Sequence, residues 1–362
     1  MSVRSSIVPL TLCLIACGSD RSEGEHAMIT GTGSDTFPEQ LLEIESRIVD
    51  HPDDAALYAE RAALYRSVDS VRQATNDWMR AVSLDSTNAA YHVALGDIFY
   101  ARSMVQVAQR EFRKAMDLDP SSAEAHLRSA EIELVLRNYG KALDLVNEGL
   151  RIDPHAAQGY FLKGWVYKET GDTVRAISSL RTAVEQDPGF YNAFVQLGYL
   201  SAARRDPLAL QYYNTALEIR PNSVEALYDK GMFAQENGMD SLALECYARI
   251  RSIDPENALA WYNSGWVRME HLGDLRHAIG DLSEAIRLET NYYQAWYNRG
   301  VAMERLGSLD SAAADYQVAL MIRPDYDLAA QGLQRLQTKG AYIKLFDKER
   351  SGAQRSGTTS GE

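Results

Sequence analysis

The sequence predicts an all-α solenoid built from stacked helix pairs. Two observations carry that reading. The first is the stretch 160–188, YFLKGWVYKETGDTVRAISSLRTAVEQDP, which divides into two amphipathic halves with a turn at Gly171-Asp172. In its first half Tyr160, Lys163 (through its aliphatic stem), Gly164 and Tyr167 recur at the spacing of one helix face, and Ala176, Leu180 and Ala183 do so in its second. The pattern stops at Asp187-Pro188, because proline cannot continue a helix. A helix pair this short cannot bury its own apolar face and needs neighbours of the same kind.

The second observation supplies them, as a repeat of about 34 residues. Pro120, Pro154 and Pro188 keep that spacing, and Pro221, Pro255 and Pro324 follow in phase with small slips. Each second helix opens on a small residue, from Ala74 and Ala108 to Ala278 and Ala312. A large apolar residue follows it by one turn, among them Trp78, Phe112, Leu180, Tyr247 and Tyr316. Each first helix holds Gly or Ala at one place: Ala62, Gly96, Ala130, Gly164, Gly198, Gly231, Gly265 and Gly300. Helices that cross so closely leave room for nothing larger than a methyl group there.

This small/large/small/Pro pattern resembles the tetratricopeptide repeat, about eight copies of it over residues 55–326. The resemblance implies a right-handed superhelical solenoid held mainly by nearest-neighbour contacts, with capping helices at its ends. There are departures. The fifth repeat lacks one residue near Arg204-Arg205-Asp206-Pro207, and the seventh has one more around 270–274. Thr290 stands where Pro is usual, and Glu133 replaces an aromatic. The turn changes are read as tolerated slips.

Taken in order, residues 1–16 read as a signal segment. Arg4 provides a positive start, and the apolar run 7–16 is too short to span a bilayer core of about 30 Å. It ends in Leu14-Ile15-Ala16-Cys17, which resembles the lipobox of bacterial lipoproteins. In that family the Cys thiol is diacylglycerylated, the chain is cut before it and the new amine is acylated, so Cys17 is the expected lipidation site. Cys13 follows the bulky Leu12 and fits less well. Several acyl chains together anchor stably. Gly18 is not the Asp that retains lipoproteins at the inner membrane, so the expectation is the outer membrane, periplasmic face first and surface display second.

Residues 17–36, rich in Ser, Gly, Thr and acid, form a tether with a reach on the order of 25 Å. Leu41, Leu42, Ile44 and Ile48 mark a capping helix over 38–50. Leu328, Leu333 and Leu336 mark another over 327–340, so that the solenoid occupies 37–340. Residues 341–362 read as a mostly disordered tail.

The net charge is −13, and no basic stripe is present, so nucleic acid is excluded as a partner class. Of three cysteines only Cys246 lies in the repeats, which excludes a disulfide framework there. No phosphate loop, nucleophile elbow or zinc helix motif occurs, and neither metal nor cofactor is expected. His92 and His126 share one repeat position and are expected to pack between helices. Repeats, caps and tether leave no room for a catalytic domain.

The fifth and ninth positions of the first helices lie on the stripe that, in the resembled family, faces the concave groove. The first three repeats carry no aromatic there. The last five carry Phe161, Trp165, Val195, Tyr199, Tyr228, Met232, Tyr262, Trp266, Tyr297 and Val301. Aromatics give large contact area at low entropy cost, so Phe161, Trp165, Tyr199, Tyr228, Met232, Tyr262, Trp266 and Tyr297 are expected to bind a protein or peptide segment. Asp229, Asn263 and Asn298, next along the same helices, are candidates for hydrogen bonds to its backbone. The same residues also suit packing against the neighbouring helix. The sixteen fifth and ninth positions hold no Lys, Arg or Asn, so the two-carboxylate clamp of chaperone-tail-binding members is missing.

The sequence therefore reads as a lipid-anchored, non-catalytic scaffold or adaptor of the bacterial envelope. In architecture alone it resembles repeat lipoproteins that assist pilus secretins or envelope hydrolases. A cytoplasmic co-chaperone-like or signalling adaptor is the alternative if the N-terminus is not processed, and an enzyme is third. Self-association through the aromatic groove is left open.

Overall fold

A computed structural model describes residues 36–339. The signal segment 1–16, Cys17 and the tail 341–362 lie outside the described residues. Among those described there are eighteen helices and no strand. They form two compact units divided after Leu200.

The first unit opens with α1 (Phe37–Asp50). The pairs α2 (Ala55–Ser67) with α3 (Val71–Leu84) and α4 (Ala89–Ala101) with α5 (Val105–Leu118) follow. Next come α6 (Ala123–Val135) with α7 (Tyr139–Ile152) and α8 (Ala157–Glu169) with α9 (Thr173–Gln186). The division falls within α10 (Tyr191–Ala203). The second unit continues with α11 (Leu208–Ile219), α12 (Val224–Glu236), α13 (Asp240–Ile253), α14 (Ala258–Glu270) and α15 (Leu275–Leu288). It ends with α16 (Tyr293–Arg305), α17 (Leu309–Ile322) and α18 (Asp327–Thr338).

Local chemistry sets the helix ends. Asp54, Asn88, Ser122, Ser223 and Asn257 each accept a hydrogen bond from a backbone N–H in the first turn of the helix they precede. Within a pair the chain reverses through one residue in the left-handed region. Gly171, Gly238, Gly273 and Gly307 hold that place in four pairs, and Asp69, Ser103, Arg137 and Arg205 hold it in the others.

The core runs through the small/large register. Phe112, Val146, Leu180, Tyr213, Tyr247, Leu282 and Tyr316 are almost fully buried in the second helices. A Cβ added to Gly300 would sit 2.8 Å from Tyr316 Cε1, and one added to Gly164 would sit 2.7 Å from Leu180 Cγ. These approaches explain the Gly/Ala restriction.

The terminal helices bury less than the sequence suggests. In α1 Ile44 is buried, but Leu42 is 66% exposed, because it sits about a third of a turn off the Leu41–Ile44–Ile48 face. In α18 Leu336 is buried and Leu328 is largely exposed. Glu133, the departure from an aromatic, is buried. It accepts from Gln109 Nε2 at 2.9 Å, from Asn138 Nδ2 at 2.8 Å and from Lys141. Burial pushes this carboxyl up, but the Lys141, Asn138 and Gln109 bonds outweigh it and hold it below its ordinary range. His92 is buried with Nδ1 2.7 Å from Glu111 and Nε2 3.2 Å from the Ser86 carbonyl. Cys246 is buried too, and burial pushes its thiol up.

Candidate functional site

The stripe residues fall into both units. In the first, Phe161 is only 6% exposed. Its ring lies 5.0 Å from that of Phe190, which comes from the turn before α10, and 6.1 Å from Trp165. The sequence placed Phe161 on an open stripe; the following turn closes over it instead. Trp165 is half-buried, with Lys168 Nζ 5.8 Å from its ring centroid. Tyr199 is 54% exposed.

In the second unit α12, α14 and α16 carry Tyr228, Met232, Tyr262, Trp266 and Tyr297, all half-buried. Tyr262 stacks on Tyr292 at 4.7 Å. Trp266 meets the His271 ring edge-on at 5.0 Å, and that imidazole is bonded through Nδ1 to Asp240. Tyr297 lies 5.6 Å from Tyr316 and 5.2 Å from Tyr326. Met232 Sδ accepts from the Tyr247 hydroxyl at 3.3 Å.

The amides tie one repeat to the next. Asn298 Nδ2 donates to the Tyr262 hydroxyl at 2.9 Å. Asn263 hydrogen-bonds the Tyr228 hydroxyl, and its Nδ2 lies 3.8 Å from Met232 Sδ. Both amides are buried, at 6% and 8% exposure for Asn263 and Asn298. They therefore act first inside the fold, as links between neighbouring first helices, rather than standing open to a peptide backbone. Burial pushes the Tyr262 hydroxyl up to about 12 and that of Tyr228 up as well, against the lowering effect of the asparagine bonds. Both phenols stay protonated at neutral pH.

Asp229 occupies the place that Asn263 and Asn298 hold in the next two repeats. It is half-buried, and among the described residues its carboxyl has no hydrogen-bond or ion-pair partner. Burial, and then the Glu225 carboxylate one turn earlier, push it up to about 7. Sequence reasoning grouped Asp229 with the two asparagines. The signal that separates it was present: an acid where the neighbouring repeats have an amide, and Val195 where they have a tyrosine one repeat earlier.

No group of three His, Cys, Asp or Glu side chains able to hold a metal occurs among the described residues. No helix among them is long and apolar enough to cross a membrane.

Family models of the tetratricopeptide repeat match residues 93–157 and 271–332, and a second such model matches 157–190. Residues 93–190 and 271–332 are thus recognised as tetratricopeptide repeats. The chain is similar to protein FlbA of Caulobacter vibrioides, 26% identical over 186 residues, covering 51% of this chain and 31% of FlbA. It is also similar to a DnaJ homolog subfamily C member 7 homolog of Dictyostelium discoideum, 22% identical over 304 residues, covering 75% of this chain and 56% of that protein. A similarity of 27% over 182 residues is to a probable N-acetylglucosaminyltransferase, SPINDLY, of Hordeum vulgare; it covers 39% of this chain and 19% of that protein. The chain thus spans about a third or less of the length of FlbA and SPINDLY.

Among solved structures, the anaphase-promoting-complex assembly Cut9–Hcn1 superposes with a TM-score of 0.51 at 15% identity, over 84% of this chain and 60% of that one. Pseudomonas aeruginosa pilF superposes with a TM-score of 0.50 at 17% identity, over 56% and 92%. These likenesses bear on the fold alone. The fold is the all-α tetratricopeptide-repeat type.

Proposed function

We propose that the chain is a non-catalytic scaffold that binds protein segments, lipid-anchored through Cys17 at a bacterial envelope membrane. Repeats of this type are protein-interaction modules. The observation that carries the reading here is the row Tyr228, Tyr262, Trp266 and Tyr297. These half-open aromatics are fixed in place by ring contacts and by the links from Asn263 and Asn298. Side chains held this way lose little freedom on binding, which raises affinity without new contacts.

Support for the anchor comes from the residues Leu14-Ile15-Ala16-Cys17 and the short apolar run before them. Gly18, in place of an inner-membrane-retaining Asp, supports an outer-membrane position, periplasmic face first and surface display second. A tether between Cys17 and the first helix then holds the repeats clear of the lipid surface.

Two measurements test the two halves. Mass spectrometry of the wild-type protein from its own cells should show acyl chains on Cys17 and loss of residues 1–16, and Cys17→Ser should move the protein out of the membrane fraction. An intact, unacylated N-terminus with unchanged location would favour the cytoplasmic adaptor instead. Replacing Tyr228, Tyr262 and Trp266 by Ala in a chain that keeps its helical signal should abolish capture of its partner protein. Unchanged capture would move the binding face elsewhere.

A further inference from the structure

We infer that the stripe of the second unit receives an extended polypeptide segment carrying a lysine or arginine among apolar residues, and that Asp229 pairs its cation. This deepens the scaffold reading and rests on it.

The argument begins with what Asp229 does not do. Asn263 and Asn298, at the same helical position, donate to the tyrosine of the preceding repeat. A carboxylate cannot donate, and the preceding repeat has Val195 in the tyrosine place. Asp229 is therefore excluded from the linking role its position serves elsewhere. It has no hydrogen-bond or ion-pair partner among the described residues and stands half-buried beside Tyr228. A half-buried charge is costly unless something pairs with it.

Of the cations on the surrounding helices, Lys230 leaves α12 about 100° round from Asp229, and the arginines are bonded elsewhere. Lys230, the one cation on α12, lies toward Cys246. Arg305 on α16 donates to Glu270 at 2.6 Å and to the Met269 carbonyl at 3.1 Å. On α14, Arg268 faces Asp281 and Asp274. Arg251 of α13 lies 4.2 Å from the Trp261 ring centroid and donates to Ser264. Among the described residues no cation is bonded to Asp229, and Glu225 on the same helix adds negative charge to its surroundings.

The flanking surface suits a cationic side chain of a partner. Tyr228 and Met232 on α12 give an apolar bed for its stem, and Tyr262 and Trp266 on α14 give aromatic faces for the residues beside it. The net charge of −13 disfavours an acidic segment and a second copy of the chain as occupants. An acid at this place, with Tyr228 beside it, Met232 on the next turn and aromatics on the next repeat, is the inverse of a lysine clamp for carboxylates.

The test uses the full-length protein in detergent as bait for phage-displayed random dodecapeptides. Selected peptides should be enriched in Lys or Arg flanked by large apolar residues. Asp229→Asn, which keeps the side-chain shape, should weaken the best of them at least tenfold, since removing one partner of a charged hydrogen bond is worth about a factor of ten or more. Replacing the peptide's own lysine by norleucine should weaken binding to the wild-type chain by a similar factor, a measurement that does not depend on how the variant folds. Peptides without a cationic bias, or bound equally by Asp229→Asn in a folded chain, would overturn the inference and leave the groove reading standing. Peptides held undiminished by Trp266→Ala, or no selected peptide at all, would remove the stripe as the docking face and the inference with it.

Discussion

Asn298 donates its side-chain N–H to the hydroxyl of Tyr262, 36 residues earlier, across 2.9 Å. The bond joins α16 to α14, first helix to first helix. It fixes the hydroxyl end of Tyr262 while Tyr292 stacks against the ring at 4.7 Å. Tyr262→Phe and Asn298→Ala should each destabilise the chain by about 1 kcal/mol, the net worth of one such bond. The double variant should cost less than the sum, with a coupling of about 0.5–1 kcal/mol in a cycle of thermal or urea unfolding. Additive losses would show that the two side chains do not act on each other.

Asp229 should limit stability at neutral pH. Its folded value of about 7 is above the ordinary carboxyl value of 3.8, so the folded chain holds the proton more tightly than the unfolded one. Between those two values the folded state binds more protons, and stability falls as pH rises through that window. Asp229→Asn should therefore stabilise the chain by on the order of 1–2 kcal/mol at pH 8, after allowance for partial exposure. The gain should vanish near pH 4, where both chains carry a neutral group. Unfolding midpoints of the two proteins across pH 4–8 give the answer, and parallel curves would remove the claim that Asp229 is strained by burial. A residue that destabilises the free chain while serving a site fits the usual conflict between stability and function.

The repeat register was legible because it is set by size alone. Where a Cβ at Gly164 or Gly300 would collide with Leu180 or Tyr316, only the smallest residues fit, and that restriction recurs in the sequence at each copy. The stripe was legible as a set of positions but not as a surface. Spacing says which side of a helix a residue occupies; it does not say what crosses over it. Phe161 is closed by Phe190, a residue of the turn between repeats and outside the stripe. The amides of Asn263 and Asn298 turn inward because a tyrosine one repeat earlier offers each a partner, a relation between residues 35 or so apart that helix periodicity does not carry. Leu42 illustrates the same limit at the end of the chain, where an apolar residue off the buried face has no neighbour to cover it.

Glu304 should govern how α18 responds to acid. It accepts from Arg335 at 2.9 and 3.1 Å, from Lys339 at 2.9 Å and from the Tyr316 hydroxyl at 2.9 Å. Arg335, acting first, with Lys339 and Tyr316 behind it, outweighs burial and holds the carboxyl down at about 2. A depressed folded value means stability that is present above the ordinary value of 4.5 and lost as pH falls toward 2. The loss should amount to about 1–2 kcal/mol, discounted because Arg335 is half exposed. Hydrogen exchange should show α18 opening first on acidification from pH 5 to pH 3. In Glu304→Gln the protection of α18 should be low already at pH 7 and change little with pH. Equal pH dependence in the two chains would show that other carboxyls control this end.

Arg137 turns the chain between α6 and α7 with φ 61°, the conformation that Gly171 adopts with φ 82° between α8 and α9. The left-handed region brings the Cβ of an L-residue too close to the backbone, at a cost of roughly 1–2 kcal/mol. Glycine avoids that cost but gives up more freedom on folding, so the net gain from Arg137→Gly is expected to be about 0.5–1 kcal/mol. The Arg137 side chain is exposed and makes no hydrogen bond or ion pair among the described residues, so nothing offsets the gain. The reverse change, Gly171→Ala, should destabilise by about 1 kcal/mol, because a Cβ there meets no atom within 4 Å and the whole effect comes from the backbone. Opposite shifts in the unfolding midpoint of these two variants would establish the turn as a backbone requirement. A destabilised Arg137→Gly would mean that the entropy of the glycine outweighs the strain, and that evolution of these turns is free to use either residue.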